Sequence, residues 1–191
     1  MSLIPEFELG LWNAWILTLP FLLLWLSWAG LNRERKEDPA VWKRVDKRMR
    51  KSNITGQLTI FGALIYSVFS PLKVETTLLW IGLFIYMIGM IFFAMAVLVF
   101  TATPKDRPVT KGIYRISRNP MTLGGFMMFI GVGIACVSWV FLISAVVLIL
   151  FMRKVVVYEE AICTGKYGNA YVEYRNNTPK WIGIPKSEKK D

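Results

Sequence analysis

Four long apolar blocks, set apart by segments rich in Lys and Arg, constrain this chain more than anything else in it. The blocks are residues 11–31, 54–72, 78–100 and 121–158, the last interrupted only by Arg153 and Lys154. A helix that crosses a bilayer needs roughly 20 mostly apolar residues, and the first three blocks meet that length. Pro20 lies inside the first block and is tolerable in a membrane helix, where neighbours satisfy the carbonyl it frees. Of the 191 residues 54% are hydrophobic and the mean hydropathy is +0.44, which excludes a disordered chain and an ordinary soluble globule. Glu6 and Glu8 precede the first block where a signal peptide would carry basic residues, so a cleaved leader is not expected.

The fourth block is too long for one span and short for two. At about 1.5 Å per residue a single helix would overshoot a ~30 Å hydrocarbon core. The block is therefore expected to be a tight hairpin turning near residues 136–139, with Arg153 and Lys154 snorkelling to the interface. The distribution of basic residues then sets the orientation. Residues 1–10 carry none, 32–53 carry nine, 73–77 carry one, 101–120 carry five, and the chain from Arg153 onward carries eight. The rich segments share one side only if there are five spans, with the N-terminus outside and the C-terminus in the cytosol. The expectation is an all-α integral membrane protein of five transmembrane helices, the last two a tight hairpin, with cytosolic interfacial helices. One such helix is expected after Pro39, with Val41, Trp42, Val45 and Met49 on one side.

A formal charge of +10 would suggest nucleic acid in a soluble protein. Here the charge lies between apolar runs, so a bilayer with anionic headgroups is the expected partner and nucleic acid is not. Histidine is absent, which removes imidazole acid–base chemistry, the Ser-His-Asp triad and His-ligated metals together. The two cysteines, Cys136 and Cys163, have no zinc spacing and imply no disulfide framework, and no metal is expected. Gly82 and Gly89 share a helix face, as do Gly124 and Gly131, a pattern for close helix packing. Gly131-Val132-Gly133 follows no strand and is a poor dinucleotide fingerprint.

Chemistry is concentrated in two segments on the expected inner side. Residues 109–124 hold a glycine, a tyrosine, two arginines and an Asn-Pro step just ahead of a span. Pro120 suits the first helical turn, Asn119 its N-cap, and the helix start offers N–H groups to a carboxylate. In the second segment Glu159-Glu160 directly follows a span, where adjacent carboxylates must be solvated, paired to Arg118 or Arg153, or engaged with a cationic or polyhydroxyl ligand. Beyond them Tyr167, Tyr171 and Tyr174 fall at i, i+4 and i+7 of one helix face. Residues 178–181, Thr-Pro-Lys-Trp, read as a stop and an interfacial anchor.

Taken in order, Gly112-Ile113-Tyr114, Arg118-Asn119-Pro120-Met121 and Gly124, then a hairpin, then Glu159-Glu160, Tyr167-Gly168, Tyr171 and Tyr174, resemble the integral-membrane methyltransferases. These include isoprenylcysteine carboxyl methyltransferases and phospholipid N-methyltransferases. The resemblance covers about residues 105–185. It implies one domain over 1–191, with N-terminal spans and a basic loop in 1–104 and the cofactor-binding, catalytic region in 105–185. It also implies S-adenosylmethionine as cofactor, in a pocket at the cytosolic face. Adenine and ribose would lie near Val109, Lys111, Gly112, Ile113 and Tyr114. The methionyl carboxylate would meet Asn119, Pro120 and Met121. Glu159 and Glu160 would close the pocket, Arg118 would face the reacting end of the acceptor, and a lipid or lipid-modified substrate would arrive sideways between helices. Asn119 stands where the family often has His, which tilts the acceptor toward phospholipids and away from prenylcysteine. Thr122 stands where Tyr is common, so no role of that tyrosine carries over.

Methyl transfer from a sulfonium is an in-line displacement that asks the protein for alignment and exclusion of water, and needs neither metal nor histidine. A carboxylate acceptor is already anionic, whereas an amine must lose a proton, which Glu159 or Glu160 would take. Arg118 suits a carboxylate or phosphate through its planar fork. The function expected is methyl transfer from S-adenosylmethionine to a phospholipid amine or an isoprenylcysteine-type carboxylate, in a bacterial or archaeal inner membrane. Two alternatives remain open. One is an NADPH oxidoreductase like the sterol reductases, which carry a similar aromatic run after paired acids. The other is a non-catalytic lipid-binding membrane protein.

Overall fold

The computed structural model describes residues 8–32 and 47–183. Among them are six α-helices and no strand: α1 Trp15–Asn32, α2 Lys47–Ser67, α3 Thr77–Ala102, α4 Pro120–Ala135, α5 Trp139–Tyr167 and α6 Asn169–Asn177. A single 3-10 turn, Gly112–Arg115, lies between α3 and α4. The interfacial helix expected after Pro39 lies outside the described residues.

Four of the helices follow the apolar blocks and α2 departs from its block. It starts seven residues early, in Lys47, Arg48, Arg50 and Lys51, and stops at Ser67 instead of continuing to Leu72. Its end is set by the segment that follows. Val68 and Pro71 meet the N-terminal segment, where Ala14 N–H donates to the Ser70 carbonyl at 2.8 Å and Leu72 N–H to that of Trp12 at 2.9 Å. Asn13 is buried there and its amide donates to the carbonyls of Glu8 and Val68. Those bonds also hold residues 11–14 as a turn, so α1 begins at Trp15 and not at Leu11.

Two helices, Thr77–Ala102 and Trp139–Tyr167, are long and apolar enough to cross a membrane, and only 28% of each apolar window is buried inside the protein. A core helix of a soluble protein would be mostly covered. On α3 the uncovered residues form a stripe, Trp80, Phe84, Met87, Ile91, Met95 and Leu98. A stripe of that size, on a helix long and apolar enough to cross a membrane, fits contact with lipid. At 16 residues α4 is shorter, about 24 Å against a ~30 Å hydrocarbon core.

Contact between α3 and α4 dominates the interior. They run antiparallel with their backbones touching, because Gly82 and Gly89 of α3 face Gly131 and Gly124 of α4. A Cβ on Gly89 would stand 2.7 Å from the Gly124 carbonyl oxygen, and one on Gly131 would stand 2.7 Å from that of Gly82. The packing expected from the glycine spacing is what the structure contains. Above it Phe21 of α1 meets Phe93 and Phe129 edge-on, at 6.0 and 5.3 Å between ring centroids.

The hairpin turns at residues 136–138, as the block length predicts. Val137 N–H donates to the Ile134 carbonyl and Ser138 N–H to that of Gly133. This is the Schellman closure of a helix end, with Val137 at the left-handed position that glycine usually holds, φ 51. A β-branched residue there is strained. The chain then returns along α5 and brings residue 160 back beside residue 118.

Two substitutions test this frame by thermal unfolding in detergent. Gly89→Leu must force α3 and α4 apart and is expected to cost about 1–3 kcal/mol or more. Val137→Gly relieves the turn and is expected to raise stability by about 1 kcal/mol.

Candidate functional site

At the start of α4 the local sequence explains the helix boundary. Pro120 occupies the first helical position, where its missing N–H is no loss. Asn119 sits at the N-cap position as expected, but its side chain makes no capping bond. Its amide nitrogen donates instead to the Lys180 carbonyl at 3.1 Å. Asn119 N–H is held by the hydroxyl of fully buried Ser117 at 3.1 Å. The first-turn amides of Met121 and Thr122 therefore receive no cap from Asn119. They form the positive end of the α4 dipole, on half-buried residues.

Arg118 is held three ways, twice by the chain around α6 and once by α5. Its N–H donates to the Pro179 carbonyl at 3.0 Å, an Nη donates to that of Arg175 at 3.1 Å, and its Nε lies 3.5 Å from Oε1 of Glu160. Lys180 Nζ approaches the other carboxylate oxygen, Oε2, at 3.7 Å. The Arg118 and Glu160 side chains are only 11% and 13% exposed. Yet Arg118 Nε and Glu160 Oε1 have no hydrogen-bond partner, each other included. The pair is in ionic contact without a bond, an arrangement that leaves hydrogen-bonding capacity unused on both buried atoms.

The paired acids divide. α5 runs on past Tyr158, and successive residues of a helix point about 100° apart, so only one of two adjacent carboxylates can face the seam. Glu160 does, and Glu159 is exposed. Of the two arginines offered as a partner, Arg118 pairs with Glu160, while Arg153 is exposed alongside Lys154, whose Nζ lies over the Phe151 ring.

Beside this seam lies an aromatic cluster. Ile113 and Tyr114 of the 3-10 turn, Ala96 of α3, and Tyr171 and Tyr174 of α6 are buried together, with Val109, Met121, Cys163 and Tyr167 packed around them. Gly112 enters the turn with φ 59, and a Cβ there would meet Val99 at 3.0 Å. Lys111 is exposed at the rim. Tyr174 hydroxyl donates to the Tyr114 carbonyl at 2.7 Å, and Tyr167 hydroxyl to that of Lys105 at 3.4 Å. The three tyrosines do not share one continuous helix. Gly168, with φ 57, breaks the chain between α5 and α6, so Tyr167 reaches the cluster from the end of one helix and the other two from the next. Burial pushes the hydroxyls of Tyr171 and Tyr174 well above the usual phenolic range, and the Glu160 charge adds to the effect at Tyr171.

Sequence reasoning missed Arg175, Pro179 and Lys180. All three act through backbone carbonyls, which carry no residue signature, and Lys180 acts through its ammonium as well. Trp181, expected as an interfacial anchor, packs on Phe126 at 5.9 Å between rings and so ties the segment to the bundle. Among the described residues no cluster of acidic or cysteine side chains could hold a metal ion.

Residues 97–170 match the family model described as phospholipid methyltransferase. No curated protein matches the chain significantly. The matched stretch contains Arg118, Asn119, Glu159 and Glu160, and it ends just before the buried tyrosines of α6.

The tyrosine cluster makes stability depend on alkaline pH. Both folded-state values are raised, so the stabilisation is complete below about pH 10 and is lost as pH rises beyond it. Melting temperature in detergent is expected to fall above that pH. Tyr174→Phe is expected to cost about 1 kcal/mol at neutral pH through its lost hydrogen bond, and to flatten the alkaline fall.

Proposed function

We propose that this protein, whose residues 97–170 match the phospholipid methyltransferase family model, moves a methyl group from S-adenosylmethionine to a lipid acceptor at the membrane surface, with a phospholipid amine as the favoured acceptor. The observation that carries the reading is the seam between the start of α4 and the far part of α5. There a cation and a carboxylate face each other, largely buried and with no hydrogen bond between them.

The residues present suit the cofactor. The sulfonium compound supplies an electrophilic methyl group when bound. The uncapped amides of Met121 and Thr122 suit a carboxylate, as helix N-termini do. Val109, Lys111, Gly112, Ile113 and Tyr114 would hold the nucleoside, with Asn119 and Pro120 at the helix start, Glu160 across the seam and Glu159 on the exposed face beside it. Arg118 orients the acceptor by engaging an anionic group such as a phosphate. Oε1 of Glu160 accepts the proton that an amine must lose before it can attack. A phosphoethanolamine headgroup offers both groups at once. The apolar flanks of α3 and α5 keep the acceptor's chains in the bilayer while its head meets the seam.

Charge placement supports the same surface as the cytosolic one. Lys105, Arg107, Lys111, Arg115 and Arg175 are exposed around the seam, whereas Lys73 belongs to the opposite end, where its N–H meets the Ala135 carbonyl. By the positive-inside rule we place the seam in the cytosol, against anionic headgroups, with five spans and the N-terminus outside.

The test is protein reconstituted with a total lipid extract and a radiolabelled methyl donor. Label is expected in a phospholipid fraction. Arg118→Ala and Glu160→Gln are each expected to lower the rate by roughly a hundredfold or more with the fold intact. Full activity in both variants would refute the site, and absence of label from every lipid would refute the function.

A further inference from the structure

Lys180 lies outside the family match and just beyond the last helix, yet it reaches the centre of the seam. Glu160 has two cations within reach, Arg118 Nε at 3.5 Å from Oε1 and Lys180 Nζ at 3.7 Å from Oε2. An arginine fork facing a carboxylate ordinarily closes into two parallel, well-aligned hydrogen bonds. Here it has not closed: both facing atoms are buried and bondless. The segment around Lys180 accounts for that. The Arg175 carbonyl takes an Nη of Arg118, which turns part of the guanidinium toward α6, and the Pro179 carbonyl takes the Arg118 backbone N–H, which fixes the chain beneath it. From the other side Lys180 engages Oε2. Lys180 is itself fixed, because its carbonyl accepts the Asn119 amide at 3.1 Å and the next residue, Trp181, packs at a tilt against Phe126.

We propose that Lys180 is a positioning residue that keeps the Arg118–Glu160 pair from closing on itself, so that Arg118 Nε and Glu160 Oε1 stay available to ligands, and that Asn119 serves this role by holding the Lys180 backbone rather than by capping α4. The proposal rests on the methyltransferase reading for its effect on activity, but not for its effect on the ion pair. Its physical content is a trade. Without Lys180 the carboxylate turns to the guanidinium, the pair gains its hydrogen bonds, and the seam is lost to ligands. Removing a cation that touches a buried acid would then tighten that acid's remaining pairing, the reverse of what an ordinary tail tether would do.

Two measurements on full-length protein test this. The first is a double-mutant cycle of Arg118→Ala and Glu160→Gln, read by thermal unfolding in detergent, in the parent and in Lys180→Met. The coupling between Arg118 and Glu160 is expected to grow in Lys180→Met. An unchanged or smaller coupling overturns the proposal. The second is lipid methylation. Lys180→Met is expected to lower the rate by roughly tenfold or more, and Lys180→Arg to restore most of it, since either cation can engage Oε2. Asn119→Asp is nearly isosteric but has no N–H for the Lys180 carbonyl, and it is expected to reproduce the Lys180→Met loss. Unaltered activity in Lys180→Met overturns the proposal, as does failure of Lys180→Arg to rescue. If the parent protein labels no lipid, the proposed function falls, while the coupling cycle still decides the role of Lys180.

Discussion

Backbone-to-backbone contact between α3 and α4 sets the level of everything else in the protein. With glycine at each crossing, the two helices approach until a carbonyl of one lies where the other's Cβ would be. At that distance neither helix can slide or rotate without collision. The register of α4 against α3 is thereby fixed, and with it the position of the Asn119–Pro120 step beside the C-terminal half of α3. Ala96, buried in the aromatic cluster, belongs to that half. In a membrane, where the hydrophobic effect does not press helices together, close packing of this kind supplies most of the specificity.

A second constraint is geometric. The turn at residues 136–138 is short, so α5 returns beside α4 and must pass the level at which α4 began. Because α5 is longer than α4, its final turns project beyond the α4 start, and Glu160 arrives opposite Arg118. The acid and the cation are thus brought together by helix lengths alone. The segment after α6 then decides how they meet. By engaging Asn119 and Glu160 with Lys180 and the Arg118 backbone with Pro179, while Arg175 of α6 takes the Arg118 guanidinium, it leaves a buried ion pair whose atoms face without bonding. Such an arrangement is costly for stability and useful for binding, a combination common where proteins hold ligands.

Much of this was legible in the chain. Block lengths gave the helices and the hairpin turn, and the seven-residue glycine spacing gave the tight crossing. The order of Arg118-Asn119-Pro120 and Glu159-Glu160 pointed to the seam. The errors share a cause. Tyr167, Tyr171 and Tyr174 fit one helical face on paper, but Gly168 takes a backbone conformation that ends the helix, and the cluster is assembled from two elements. Asn119 fits an N-cap, but a carbonyl from a distant segment competes for its amide. The adjacent acids look equivalent, yet a helix can turn only one of them inward.

The sequence by itself determined which residues seek lipid, where the chain must turn, and where charge can reside, because hydropathy and helical period are local properties. Tertiary structure alone decided that Glu160 rather than Glu159 faces Arg118, that Lys180 joins them, and that the pair stays unbonded. Those outcomes depend on backbone carbonyls and on distances across segments some sixty residues apart, which no local pattern encodes.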